Sequence, residues 1–202
     1  MESRNKDILI CGVGGQGTVL ASRIIAAAAM EEGNRVHSAE TIGMAQRGGS
    51  VTSHVRIGEE AFSPLIPFGS ADLLLAFEPA EAVRNLKYLR KDGAAVVNTA
   101  PTRPVTESLQ STGYDGSGMT AYLREKCACI FVDSEEACRP FGSSKFLNII
   151  LLGIAAGSGR LGIRREVLEN QITRQVPARF LETNLQAFRT GYDIGERDRE
   201  KE

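Results

Sequence analysis

The residues near the N-terminus best suited to chemistry are Gly12-Val13-Gly14-Gly15-Gln16-Gly17, which fit the spacing G-x-G-x-x-G. Gly12 and Gly14 let the backbone turn tightly. Gly17 lets a following helix approach a sheet, and the amides freed at that helix N-terminus can hold an anion. Three readings stay open. One is a dinucleotide site. That reading wants an acid at the end of the second strand, where the sequence has His37–Ala39 with Glu40 slightly late, and the Gly15-Gln16 pair lies outside the dinucleotide fingerprint. The second is a site for another anion or for a neighbouring subunit. The third is a tight turn that binds nothing.

A second cluster, Gly43-Met44-Ala45-Gln46-Arg47-Gly48-Gly49-Ser50, sets an arginine beside a glycine pair. Gly48 and Gly49 permit close backbone approach. Arg47 is suited to bidentate contact with phosphate or carboxylate, or is simply a solvated arginine on a loop. The candidate ligand-binding set is therefore Gly12, Gly14, Gly15, Gln16, Gly17, Arg47, Gly48 and Gly49.

The remaining chemistry-bearing residues carry less. Cys11, Cys127, Cys129 and Cys138 have neither a CxxC spacing nor a histidine beside them. They read as small buried hydrophobes rather than as a zinc or iron–sulfur site. His37 and His54 each fall on an expected strand and read as packing residues. No catalytic residue and no metal ligand is assigned to the chain.

The elements that must position these residues follow from apolar pattern. Asp7–Gly12, Arg35–Ala39, Val51–Ile57, Asp72–Phe77, Ala94–Asn98 and Cys129–Asp133 read as strands. Gly17–Glu32, Pro79–Leu89, Lys145–Ala156, Arg164–Gln175 and Phe180–Tyr192 read as helices. Glu40–Ser50 and Thr99–Gly118 read as long connections, and Gly195–Glu202 (GERDREKE) as a charged, flexible tail after a single domain over 1–194. The expected fold is α/β: a Rossmann-like, mostly parallel sheet with helices on both faces and a helical C-terminal third. The loops at Gly12–Gly17 and Glu40–Ser50 leave consecutive strands, so they are expected on one edge of the domain; if the second strand neighbours the first, Arg47 can reach the space above the Gly14–Gly17 amides.

Bulk composition narrows the classes. The chain has 202 residues, a net charge of −1, no Trp and 6% aromatic residues. Nothing in this pulls toward nucleic acid or a stacking surface. No apolar stretch is long enough to cross a bilayer, and the polar start Met1–Asp7 does not resemble a signal peptide. A cytoplasmic protein is expected.

The two clusters together resemble a known family. GVGGQGTVLAS at Gly12–Ser22, then QRGGSVTSHVRIG at Gln46–Gly58, then Ser63-Pro64, Ala71-Asp72-Leu73, Asn148 and Leu152-Gly153 are similar, in this order, to the gamma domain of the 2-oxoacid:acceptor oxidoreductases. The wording GMAQRGG and SHVR resembles the indolepyruvate branch. The pyruvate, 2-oxoisovalerate and 2-oxoglutarate branches are the alternatives; a free-standing NAD-dependent oxidoreductase or a ligand-free scaffold would be another class of protein. The resemblance implies a complex that oxidatively decarboxylates 2-oxoacids, captures the acyl group on coenzyme A as co-substrate, and reduces ferredoxin. It implies thiamine diphosphate, Mg and iron–sulfur clusters on a large alpha subunit rather than on this chain. The partners so implied are the alpha subunit and, through the complex, ferredoxin; self-association is a further expectation.

Overall fold

The computed structural model describes residues 5–42, 48–59, 61–102 and 114–201. Arg47 and residues 43–46 lie outside the described residues.

Six strands form one sheet among the described residues: β1 (Lys6–Val13), β2 (Val36–Ile42), β3 (Ser50–Ile57), β4 (Ala71–Ala76), β5 (Leu89–Asn98) and β6 (Ala128–Val132). Their order is β2-β3-β1-β4-β5-β6. β1, β4, β5 and β6 pair in parallel, while β3 runs antiparallel to both neighbours. The first two strands are therefore not neighbours. β3 comes between them, and β2 becomes an edge.

Strand alternation explains the two cores. Ile8 and Ile10 of β1, Leu73 and Leu75 of β4, Val96 of β5, and Ile130 and Val132 of β6 point to one face. Leu9, Cys11, Leu74, Ala76, Ala95 and Val97 point to the other. The first face is covered by α1 (Thr18–Glu31), α5 (Leu147–Gly157), α6 (Arg165–Gln175) and α7 (Leu181–Arg199). The second receives α2 (Pro79–Asn85) through Ala82 and α3 (Ser117–Lys126) through Leu123. A short helix, α4 (Ser134–Cys138), follows β6. Helices on both faces of a mainly parallel sheet are what alternating strand and helix patterns require.

Several boundaries differ from expectation. β2 continues to Ile42, because Glu40, Thr41 and Ile42 pair with Ser53, Thr52 and Val51. α2 ends at Asn85, and a 3-10 turn over Leu86–Tyr88 leads into β5. The connection expected over Thr99–Gly118 is shorter, since α3 begins at Ser117. The tail expected from Gly195 is helix as far as Arg199: α7 continues with Gly195 buried beneath it.

α5 is apolar all round and buried along its length. It and α7 pack backbone against backbone. A methyl group on Gly153 would collide with the carbonyl of Phe188, one on Gly157 with that of Tyr192, one on Gly191 with that of Ile150, and one on Gly195 with that of Ile154. Two glycines on each helix, spaced four apart, clear matching stripes through which the axes approach.

Candidate functional site

The C-terminal ends of β1, β5 and β6 open into a cavity of about 380 Å³. The glycine turn forms one wall. Gln16 closes the turn twice: its N–H donates to the Val13 carbonyl (3.1 Å), and its side-chain Oε1 accepts from the Val13 N–H (2.7 Å). The Gln16 Nε2 then donates to the Phe77 carbonyl at the end of β4 and to the Thr102 Oγ1 beyond β5, both at 3.2 Å. Asn98 Nδ2 donates to the same Phe77 carbonyl (3.0 Å). One glutamine thus ties together the tips of three strand ends. Gly12 makes room for it, because a Cβ there would lie 2.7 Å from the Gln16 Oε1.

Gly17 caps α1 with φ +85°, and a Cβ there would lie 2.5 Å from Asn148 Nδ2. Only glycine satisfies both the left-handed backbone and this approach. Asn148, in the first turn of α5, and Lys145 just before it form the opposite wall. Neither α1 nor α5 has a side-chain cap or an acid in its first turn. The uncapped start of α1 and the positive ends of two helix dipoles therefore border one cavity, with an ammonium beside them, while the Leu147 and Ile149 N–H groups of α5 donate to the Ser144 carbonyl and the Asn148 Oδ1. Such a wall suits a phosphate or carboxylate.

The Gly48-Gly49 pair meets the turn directly. Gly14 N–H donates to the Gly49 carbonyl (2.8 Å), and Gly48 N–H reaches the Gly14 carbonyl (3.5 Å). The two glycine clusters thus share one sheet edge as expected, though by a different route. β3 starts at that edge with Ser50 opposite Val13, and β2 ends there with Ile42 opposite Val51.

Two carboxylates that the sequence reading passed over hold this edge from below. Glu78 is 2% exposed and caps α2 through Glu81 N–H (3.0 Å). Its other oxygen accepts from Tyr114 O–H (2.6 Å) and from Thr102 N–H (3.4 Å). Glu81, 4% exposed, accepts from Ser50 Oγ (2.6 Å) and from Arg84. The cap acid Glu78 therefore fastens the cavity lining at Thr102, and the first-turn acid Glu81 fastens the start of β3 at Ser50. Burial, then the hydrogen bond to Glu78, pushes the Tyr114 hydroxyl above the ordinary phenol range. Cys11, behind them, is pushed up by burial and next by Glu81 and Glu78. The signal was Glu78-Pro79-Ala80-Glu81, an acid at the cap position before a Pro-started helix with a second acid three residues on.

Other motif residues lie at the far end of the sheet. Arg56 Nε donates to Asp7 (2.8 Å) and its Nη1 to the Ser63 carbonyl (3.1 Å), while Asp7 N–H donates to Asp72 (2.7 Å). This network ties the starts of β1 and β4 to the end of β3 and to the Ser63-Pro64 segment, away from the cavity. His54 is buried there and accepts from Ile66 N–H at Nδ1 (3.2 Å); burial, then the Arg56 charge, holds its pKa low. The dinucleotide reading loses its geometry as well. Glu40 sits on an edge strand separated from β1 by β3, and Ser22 Oγ donates to it (3.3 Å). A ribose-gripping acid belongs at the end of a strand beside the glycine turn.

The four thiols do not converge on one point. Cys11 belongs to one core and Cys138 to the other, on opposite faces of the sheet. Cys127 and Cys129 are half-buried, unlike the buried role expected of them. Among the described residues no single helix is long and apolar enough to cross a membrane.

Known proteins share this architecture. The indolepyruvate oxidoreductase subunit IorB of Archaeoglobus fulgidus is 38% identical over 93% of this chain and 94% of its own length. That of Methanothermobacter thermautotrophicus is 37% identical, over 93% and 96%. The 2-oxoglutarate synthase subunit KorC of A. fulgidus is 27% identical over 96% of this chain and 90% of its own. The 2-oxoglutarate:ferredoxin oxidoreductase of Magnetococcus marinus, solved with 2-oxoglutarate, coenzyme A and succinyl-CoA bound, shares the fold at a TM-score of 0.75 and 19% identity; the match covers 97% of this chain and 32% of that one. The family model described as pyruvate ferredoxin/flavodoxin oxidoreductase matches residues 7–194, and the chain belongs to that family.

Proposed function

We infer that this chain is the small subunit of an indolepyruvate ferredoxin oxidoreductase, a complex that oxidatively decarboxylates arylpyruvates to arylacetyl-CoA and reduces ferredoxin. The observation that carries the branch is a comparison within one organism: similarity to the A. fulgidus indolepyruvate subunit, at 38%, exceeds that to its 2-oxoglutarate counterpart, at 27%. A large alpha subunit supplies thiamine diphosphate, Mg and the iron–sulfur clusters. The residues of this chain agree with that division, since its four cysteines are spread over both faces of the sheet and cannot surround one cluster.

The contribution of this chain is the cavity edge. Its uncapped helix ends and Lys145 fit an anionic group of coenzyme A or a carboxylate of the alpha subunit. Gly12, Gly14, Gly15, Gln16 and Gly17 shape that wall, Gly48 and Gly49 brace it, and Arg47 immediately precedes the braced pair in sequence. The reading predicts that the isolated chain turns over no 2-oxoacid. Co-purification with the alpha subunit should restore arylpyruvate-dependent viologen reduction. Arg47→Ala should raise the coenzyme A requirement or weaken assembly by about tenfold, the cost of a charge-assisted contact. Turnover by this chain alone, or a complex that prefers 2-oxoglutarate, would overturn the assignment.

A further inference from the structure

Cys127 and Cys129 sit where α3 gives way to β6, and their sulfurs lie 3.4 Å apart. Cys127 is the extended residue capping α3, and Cys129 is the second residue of the strand. Side chains two apart on an extended chain share a face, so the contact follows from the backbone. The sulfurs also lie 3.7 and 3.8 Å from the Leu123 carbonyl in the last turn of α3. Both thiols are half-buried, whereas Cys11 and Cys138 are enclosed at 0% and 4% exposure. The chain thus has one pair of thiols in mutual contact and within reach of solvent among its four, all described.

We propose that Cys127 and Cys129 form a dithiol modification site that reduces low-molecular-weight disulfides and is left as an intrachain disulfide. The two sulfurs lie within hydrogen-bonding distance, and either thiol can donate to the other. A thiolate on one is thereby stabilised by the thiol of its neighbour, so either sulfur can attack and the other resolve. With Cys127 attacking, the exchange runs in two steps. In the first step the Cys127 thiolate attacks one sulfur of the small disulfide, forms a mixed disulfide and expels one small thiolate. In the second the Cys129 thiolate attacks the Cys127 sulfur and expels the other small thiolate. One S–S bond breaks and one forms. Two electrons pass from the protein to the small disulfide, and the two thiol protons end on the released small thiols.

Backbone reach sets how easily the product is reversed. Extended residues two apart place their Cα atoms about 6.6 Å apart, near the upper end of the roughly 4.4–6.8 Å that a disulfide spans. Closure therefore asks β6 to contract slightly. It can, because β6 is an edge strand bonded only to β5. A bond formed under such strain is readily reduced, so the site should cycle rather than lock.

The test uses the purified full-length chain and oxidised glutathione under native conditions, followed by alkylation in denaturant and peptide mapping. The expected result is loss of alkylation at Cys127 and Cys129 together, full retention at Cys11 and Cys138, and recovery of both sites with dithiothreitol. Cys129→Ser should arrest the reaction with one glutathione on Cys127, and Cys127→Ser with one glutathione on Cys129. Full alkylation of both residues after oxidant, or a disulfide between chains, would overturn the proposal.

Discussion

Two glycine-rich regions of this molecule use the same residue for opposite purposes. Between α5 and α7, Gly153, Gly157, Gly191 and Gly195 have ordinary helical backbone and no room, because each faces a carbonyl of the other helix. At the cavity, Gly15 and Gly48 have positive φ and nothing within 4 Å of where a side chain would be. The first set lets backbones touch; the second lets the chain turn while leaving space open. Gly17 belongs to both kinds, with φ +85° and Asn148 pressed against it. The helix-pair glycines are filled around, whereas Gly15 and Gly48 are left open. From sequence alone the two look alike.

The sharpest way to break the comparison is at the helix pair. Gly→Ala inside a helix ordinarily stabilises by about 0.5–1 kcal/mol. At Gly153 or Gly191 the added methyl meets backbone that cannot rotate away. Gly191→Ala should therefore destabilise by about 3 kcal/mol or more, the upper range for overpacking, read as a lower urea midpoint. An unchanged midpoint would mean that α5 and α7 can slide apart. Gly17→Ala should cost less, about 2 kcal/mol, because left-handed strain of about 1–2 kcal/mol adds to a clash with a side chain that can shift. It should also weaken alpha-subunit binding or coenzyme A use, which Gly191→Ala leaves intact wherever the protein remains folded.

The third prediction uses charge. The α5–α7 seam is apolar, while the support behind Thr102 titrates. Tyr114 has its folded pKa raised above about 10 by burial and Glu78. Its neutral hydroxyl therefore supports folding in full below pH 10, and that support declines as pH rises and the unfolded chain ionises. Urea midpoints should fall more steeply between about pH 9 and 11 in the native sequence than in Tyr114→Phe. Parallel curves would detach Tyr114 from Glu78. The smallest effect is expected at Gly15, where φ is +103° and space is open. Gly15→Ala should cost only backbone strain, about 1 kcal/mol, with no change in the α5–α7 seam.

The same contrast explains what could be read from the sequence. β1, β4 and β5 announce themselves as short apolar runs because both of their faces are buried. α5 and α6 are as visible. α3 escaped because only Leu123 of SGMTAYLREK is buried, which leaves no apolar period to detect. The end of α7 escaped because its contact with α5 is made by Gly195, a residue without hydrophobic signal, inside a run of charges. Strand order depends on pairing between distant residues, so the insertion of β3 between β2 and β1 had no local sign. At the site, the glycine turn and the Gly48-Gly49 pair were legible as motifs. Glu78 and Glu81 were not, because an acid on a helix normally reads as solvated, and their burial depends on Ser50, Thr102 and Tyr114 arriving from elsewhere.

The ladder between β1 and β3 runs unbroken from Lys6 opposite Ile57 to Val13 opposite Ser50. It acts as a ruler. The length of β3 decides where its first residue emerges, and here that is level with the last residue of β1, so Gly49 meets Gly14. The connection from Ile42 to Gly48 therefore leaves and rejoins the sheet at anchored points. A change in the length of that connection need not shift any strand register, because the ladder and the Gly14–Gly49 contact are set by residues outside it.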